Sequence, residues 1–300
     1  MFAKTLALAS LVLGSAACGP NTRNPNGGAD ANGSGSGSNQ DGCSAQAKLI
    51  YVVDSNNTLS QFDPSTKQFT DLGTLNCPSQ GAATPFSMGI DRNANAYVLY
   101  VEPDPLTGDT ISSELFKVDT STSALACAKT NWATQLNEQQ FGMGFSTDTD
   151  GGTTDTLYIA GSANSVMSTS VTLASLNVST MAANRVSTVT GSPELTGTGD
   201  AKLWGFFPSA TATPKIEQLD KTTGAASNTH TLPALSGQPL AWAFAFYGGD
   251  FFVFLMKGTE TSTTVYQVNG TTGAISGQTS ANGRAIVGAG VSTCAPTIIM

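Results

Sequence analysis

Leu59-Ser-Gln-Phe62-Asp63 decides the fold, because its pattern returns four more times along the 300 residues. The copies are Leu115-Phe-Lys-Val118-Asp119, Leu173-Ala-Ser-Leu176-Asn177, Ile216-Glu-Gln-Leu219-Asp220 and Val265-Tyr-Gln-Val268-Asn269. Ser or Thr stands two residues after each Asp or Asn, at Ser65, Ser121, Ser179, Thr222 and Thr271. Successive Asp/Asn positions are 56, 58, 43 and 49 residues apart. An Asp or Asn that opens a turn can accept a hydrogen bond from the backbone two residues on. Apolar strands ending in such turns, at a period near fifty, mark a β-propeller. Five copies predict an all-β ring of five blades.

Each repeat reads as four antiparallel strands, most clearly in the last. Leu240 to Phe246 and Phe251 to Met256 flank a Gly-Gly-Asp turn. Thr263 to Val268, the turn at Asn269 to Gly273, and Ala274 to Thr279 complete the blade. The second strand of each repeat is continuously apolar, as in Leu49-Ile-Tyr-Val-Val53, Tyr97-Val-Leu-Tyr-Val101 and Leu203-Trp-Gly-Phe-Phe207. Such runs are expected where both faces of a strand are covered by neighbouring sheets.

The first strands share a small-residue pattern: Ser87-Met-Gly89-Ile-Asp91, Gly142-Met-Gly144-Phe-Ser146, Gly197-Thr-Gly199-Asp200 and Gly288-Ala-Gly290-Val-Ser292. In the fifth copy Ala241, Ala243 and Ala245 stand in for glycine. Glycine weakens a strand unless another backbone must come close, so these positions predict crowding at a ring axis.

The repeats begin at a second strand, Leu49, and end with a lone first strand, Ala285 to Thr293. The C-terminal strand is therefore expected to complete the N-terminal blade and lock the ring. Cys43 and Cys294 then meet at one hairpin end. A disulfide there closes a loop of about 250 residues, worth ~4–5 kcal/mol in the chain-entropy account. Cys77 and Cys127, at the outer edges of adjacent blades, form the leftover pair, although four cysteines allow three connectivities.

The apolar Tyr-containing strand, the Leu-x-x-Val-Asp-x-x-Thr segment and the Gly turn together resemble bacterial YVTN-type and quinoprotein-like propeller repeats. The resemblance covers residues 48–293 and implies blades rather than an activity. The Trp-docking pattern of quinoprotein enzymes is absent, so no quinone cofactor is expected.

Ahead of the repeats, Lys4 precedes an uncharged apolar run from Thr5 to Ala16, and Ser15-Ala16-Ala17 leads into Cys18. Residues 1–17 read as a secretory signal peptide. The Cys after small residues resembles the lipobox of bacterial lipoproteins, with Ser15 where that family usually has Leu. The resemblance implies lipidation of Cys18, and Gly19 implies an outer-membrane destination. Ordinary signal cleavage at the same bond is the alternative. Removing Cys18 leaves an even four cysteines, which suits an oxidising compartment. Residues 18–42, rich in Gly, Ser and Asn, form a flexible tether, and residues 43–300 form one propeller domain.

A formal charge of −8 with no Lys/Arg cluster argues against nucleic acid as a partner. His230, the sole histidine, falls on an outermost strand, which leaves no His-based metal site or catalytic triad. Asp148, Asp150 and Asp155, with Ser146 before them, alternate around Gly151-Gly152 and offer hard oxygen ligands to Ca²⁺. Leu157, however, stands where a bidentate Glu would complete an EF-hand loop. The other reading is a polar hairpin turn.

Asp91 and Asp200 close inner strands at comparable places, with Asp54 on a neighbouring strand, and form the candidate pair for glycoside hydrolysis. Aspartates at strand ends are more often turn formers. Trp132 lies in an inserted loop and is a candidate for binding on one face of the disc, or a cap on its blade. Trp204 and Trp242 read as core. The sequence thus predicts a lipid-anchored envelope propeller that recognises a protein or glycan partner without catalysis. The alternative is a carbohydrate-active hydrolase.

Overall fold

The computed structural model describes residues 43–163 and 168–298. The expected signal peptide, Cys18 and the whole of the expected tether at 18–42 lie outside the described residues. Twenty strands follow in chain order. They are β1 (Ile50–Asp54), β2 (Thr58–Asp63), β3 (Gln68–Thr74), β4 (Thr84–Ile90), β5 (Asn95–Pro103), β6 (Thr110–Asp119) and β7 (Cys127–Lys129). Next come β8 (Gln140–Thr147), β9 (Asp155–Ser162), β10 (Ser170–Leu176), β11 (Ala183–Thr190), β12 (Glu194–Gly197), β13 (Leu203–Phe207), β14 (Lys215–Leu219) and β15 (Ala226–Thr231). The last are β16 (Pro239–Tyr247), β17 (Asp250–Lys257), β18 (Thr264–Asn269), β19 (Ile275–Ser280) and β20 (Ile286–Gly290).

They form five antiparallel four-stranded sheets, the blades of a propeller. Blade 1 has the order β20-β1-β2-β3, and blades 2 to 5 take β4–β7, β8–β11, β12–β15 and β16–β19. Ring closure is as the sequence predicts: Tyr51, Val52 and Val53 of β1 pair with Gly290, Ala289 and Gly288 of β20.

The five repeated motifs are the third strands β2, β6, β10, β14 and β18, and their turns share one geometry. The side-chain oxygens of Asp63, Asp119, Asn177, Asp220 and Asn269 each accept the backbone N–H two residues on, at 2.8 to 3.1 Å. This local bond is why the motif recurs while the residues between vary.

One apolar cluster fills each interface between neighbouring blades. Ile50, Val52 and Phe62 of blade 1 meet Phe252 and Phe254 of blade 5. Tyr51 and Val53 meet Met88, Val98 and Phe116 of blade 2. Blades 2 and 3 join through Leu99, Phe141 and Ile159, blades 3 and 4 through Leu173 and Leu203, and blades 4 and 5 through Phe206 and Phe244. Each fully buried Phe or Leu stabilises by roughly 1.5–3 kcal/mol, so the ring is held by five comparable contacts rather than one centre.

The inner strands pack backbone to backbone. A Cβ on Gly142 would lie 2.3 Å from the Pro193 carbonyl oxygen, and one on Gly197 2.1 Å from that of Phe145. Gly288 and Gly290 touch the backbone of Ser87 to Ile90 in the same way. The glycines are packing residues, and residue numbers rise together across these contacts, so the inner strands run parallel. In blade 4 the register differs from the sequence alignment. Tyr97 and Tyr158 pair with the residues two before Asp119 and Asn177, and their counterpart in blade 4 is Trp204, opposite Gln218. Trp204 pairs with Thr196 as Tyr97 pairs with Gly89 and Tyr158 with Gly144. Thr196 therefore holds the second-glycine place, Gly197 lies three residues from where the sequence placed it, and Asp91 and Asp200 are not equivalent positions.

Candidate functional site

The C-terminal ends of the inner strands are sealed by the chain's own termini. Cys43 and Cys294 are disulfide-bonded across a sequence separation of 251, with Cα atoms 5.9 Å apart. Past that bond, the Pro296 carbonyl accepts from Gly248 N–H at 2.7 Å. Ser292 Oγ donates to the Ala47 carbonyl at 2.8 Å. Arg92 bridges to the Asp155 carboxylate at 3.0 Å and the Gly152 carbonyl at 2.7 Å. Thr293 Oγ1 donates to the other Asp155 oxygen at 2.7 Å. The second disulfide, Cys77–Cys127, joins the outer edges of blades 1 and 2.

That seal absorbs much of the acidic loop considered for Ca²⁺. Asp155 is held by Arg92 and Thr293, and Asp148 accepts from Thr156 Oγ1 at 2.7 Å. The Lys221 ammonium lies 2.6 Å from the Thr147 carbonyl, 3.4 Å from Ser146 Oγ and 3.5 Å from the Asp148 carbonyl. Arg92 and Lys221 thus bring internal cations to the oxygens of this loop. Asp150 is exposed at its tip. Among the described residues no three His, Cys, Asp or Glu side chains converge as a metal site.

Asp91 and Asp200 also have local partners. Asp91 Oδ1 accepts the N–H groups of Asn93 and Asn95 at 2.9 and 2.8 Å. Asp200 is paired with Lys202 at 2.7 Å. Burial works to raise the Asp200 carboxyl, yet the bonds from Lys202 and Thr198 hold it below its usual value. Asp91 borders an open cleft of about 510 Å³ between blades 2 and 3, beside Lys117 and Lys129. Neither aspartate lines the axial pocket described next.

The opposite face, at the N-terminal ends of the inner strands, opens into an axial pocket of about 190 Å³. Its wall takes Pro85 and Phe86 from β4, Leu240 and Trp242 from β16, and Val287 from β20, with Glu194 of β12 at its base. Gln140 to Gly142 of β8, with Ser192 and Pro193, continue the lining beside Glu194. All five inner strands contribute.

Glu194 is 2% exposed and reaches past blade 3 to blade 2. One of its oxygens accepts from Ser87 Oγ at 2.5 Å, and its carboxyl also takes the Met143 N–H. Burial pushes the carboxyl well above the usual range, and the bonds from Ser87 and Met143 only partly offset that. Among the described residues no Lys, Arg or His, and no second carboxylate, lines the pocket. A carboxyl biased by burial towards its protonated form therefore sits at the base of an aromatic-rimmed well.

Two tryptophans exchange the roles expected of them. Trp132 is 7% exposed and packs edge-on against Phe141 with centroids 5.3 Å apart, so it fills the interface of blades 2 and 3 rather than an open face. Trp242, read as core, is half-buried at the pocket rim. Trp204 is core, as expected, at 6% exposure. His230 is partly buried, stacked 6.3 Å from Trp204 with Nε2 3.1 Å from the Gly270 carbonyl, and so ties blade 4 to blade 5. Glu194 escaped the sequence reading. The available signal was a lone acid, behind a proline, at the mouth of an otherwise uncharged inner strand.

No family model matches the sequence, and no curated protein matches it. Among solved structures the chain is similar to one in a mitotic checkpoint complex, at 10% identity and TM-score 0.37, over 79% of this chain and 65% of that one. It is also similar to a functionally unknown protein from Desulfotomaculum acetoxidans, at 12% identity and TM-score 0.42, over 85% and 88% of the two chains. An exo-beta-1,3-galactanase from Phanerochaete chrysosporium is similar at 8% identity and TM-score 0.47, over 77% of this chain and 54% of that one. The chain thus spans less than two thirds of the checkpoint and galactanase chains.

Proposed function

We propose that this chain is an envelope lipoprotein, held through Cys18 and the tether at residues 18–42, whose propeller recognises an envelope partner without catalysis. The axial pocket is its binding site. The observation that carries this reading is the floor of the pocket. Below Glu194 the inner strands meet backbone to backbone, so the well is blind and holds one carboxyl. Glycoside hydrolysis by paired acids needs a second carboxyl at about 5–9.5 Å, and the lining supplies none. Two disulfides suit folding in an oxidising compartment.

The test is mild crosslinking of the tagged, full-length protein in its own membranes, followed by mass spectrometry. One stoichiometric partner, lost in Trp242→Ala, is the expected result. Recovery of the protein alone, or a partner unaffected by Trp242→Ala, would overturn the assignment of the axial pocket.

A further inference from the structure

We infer that the axial pocket takes an organic cation, an alkylammonium group seated between the Trp242 and Phe86 rings with its charge against Glu194. This rests on the reading of the same pocket as the binding site, and goes further by naming the chemistry bound.

Three observations converge on it. The first is charge. Glu194 is an ionisable group at the ring axis, yet its protein partners are a hydroxyl and a backbone N–H, neither of them cationic. The elements packed around it bring no ionisable side chain: β4 presents Ser87, β8 presents Gln140 and Met143, and β16 and β20 present Trp242 and Val287. A buried carboxyl without an internal counter-ion stays protonated or takes its counter-charge from outside, and this one borders a pocket through which a cation can reach it.

The second observation is the rim. Trp242 and Phe86 are half-buried aromatic rings at the mouth of the well, and aromatic faces attract ammonium groups. Pro85, Pro239, Leu240, Ala241 and Val287 make most of the remaining wall apolar, with Gln238 as a polar side chain among them. Such a wall suits the methyl or methylene groups around an ammonium nitrogen.

The third is size. A volume of about 190 Å³ equals roughly six waters at ~30 Å³ each. It lies below the ~300–1,000 Å³ of wells that take whole drug-sized ligands. The well admits one headgroup or one side-chain end, with the rest of the ligand left outside.

Binding then has a balanced proton account. Any proton on the Glu194 carboxyl passes to solvent as the cation arrives, leaving carboxylate paired with ammonium. No bond to the ligand forms or breaks.

Calorimetry on the full-length protein in detergent at pH 6.5 tests this with three probes: choline, n-butylammonium and 3,3-dimethylbutanol, the uncharged isostere of choline. A cation should bind at least ~30-fold more tightly than the alcohol. Its binding heat should vary with the ionisation enthalpy of the buffer, reporting proton release. Preference for choline points to a quaternary headgroup as the source, and preference for n-butylammonium to a lysine or peptide amine. Glu194→Gln should remove the preference for charge while leaving the alcohol's affinity unchanged. Trp242→Leu, at the rim, should weaken the cation about tenfold, and it keeps the test valid if Glu194→Gln fails to fold.

Equal affinity for cation and alcohol would overturn the assignment. If no probe binds while the crosslinked partner is still lost in Trp242→Ala, the cation assignment fails and the recognition reading stands. If the partner is also indifferent to Trp242→Ala, both fall.

Discussion

The Ser87 hydroxyl of blade 2 donates to the Glu194 carboxyl of blade 4 at 2.5 Å, although blade 3 lies between them in the ring. Only at the axis are alternate blades close enough to touch. The Met143 N–H on blade 3 shares the same carboxyl, so one side chain ties three of the five inner strands. Its position makes Glu194 both the floor of the axial well and a brace of the ring.

Stability should peak near pH 5. Burial pushes the Glu138 carboxyl up to about 9, with Arg185 only partly opposing it, and raises Glu194 in the same direction. Above the unfolded value of about 4.5 the folded chain keeps a proton on Glu138 that the unfolded chain releases. This contribution is full below pH 4.5 and is lost as pH rises towards 9. Asp71, held low by bonds from Ser60 and Arg284, and Asp119, held low by Ser121, act oppositely. Their contribution is present above pH 3.8 and is lost as pH falls below it. Calorimetric melting from pH 3 to 9 should show the peak. Both Glu138 oxygens are buried without a hydrogen bond, so Glu138→Met should raise Tm at pH 8 by more than at pH 5. Equal shifts at the two pH values would refute the assignment.

Two glycines of one motif should respond in opposite ways to the same change. A Cβ at Gly197 meets the Phe145 carbonyl oxygen at 2.1 Å, whereas at Gly89 its nearest neighbours are side-chain carbons at 3.5 Å. Gly197→Ala is expected to cost about 2–4 kcal/mol, by forcing two inner strands apart. Gly89→Ala should stay within about 1 kcal/mol. Urea unfolding of both variants decides it, and similar losses would contradict the packing account.

Asp91→Asn with Asp200→Asn should leave the axial well intact. Asp91 shapes the turn to Asn95, and Asp200 pairs with Lys202 outside the pocket lining. The expected effect is a loss of about 1–2 kcal/mol in stability with unchanged affinity for any axial ligand. A fall in affinity of tenfold or more, without unfolding, would return these two residues to the functional site.

Replacing Cys43 and Cys294 by Ser should cost more than replacing Cys77 and Cys127. The loops are 251 and 50 residues, which the chain-entropy account values at about 5 and about 4 kcal/mol. The first pair also holds the chain ends against the disc. Its removal should speed digestion at both termini while the second leaves them protected, as limited proteolysis would reveal.

Much of this architecture was legible in the chain. The Asx turns at Asp63, Asp119, Asn177, Asp220 and Asn269 are local bonds, written within three residues, and they count the blades. The closing strand and the Cys43–Cys294 bond followed from which strand of a blade came first and last. The pocket was not legible, because axial contacts join residues about fifty to more than a hundred positions apart. Ser87 stands where other copies of the inner-strand pattern carry Gly, Glu194 holds the same place in blade 4, and a three-residue error in aligning Gly197 hid Glu194 and drew attention to Asp200 instead. Trp242 was misread, and Trp132 was left between a binding face and a cap on its blade, for a related reason. A loop residue is covered when the next blade lies against it, and a strand residue is uncovered when its strand opens the well.

The pairing of β1 with β20 also sets an order of events during synthesis. A chain made from its N-terminus can assemble blades 2 to 5 in turn, but the first strand of blade 1 arrives last. Until residues 286–290 emerge, β1 presents a bare apolar edge, and such edges invite pairing with other chains. The ring is therefore completed in one late step across the whole length of the chain, a contact of very high sequence separation that slows folding. A polypeptide built this way remains an open arc of blades until its last strand is released, and only then does it become a closed disc.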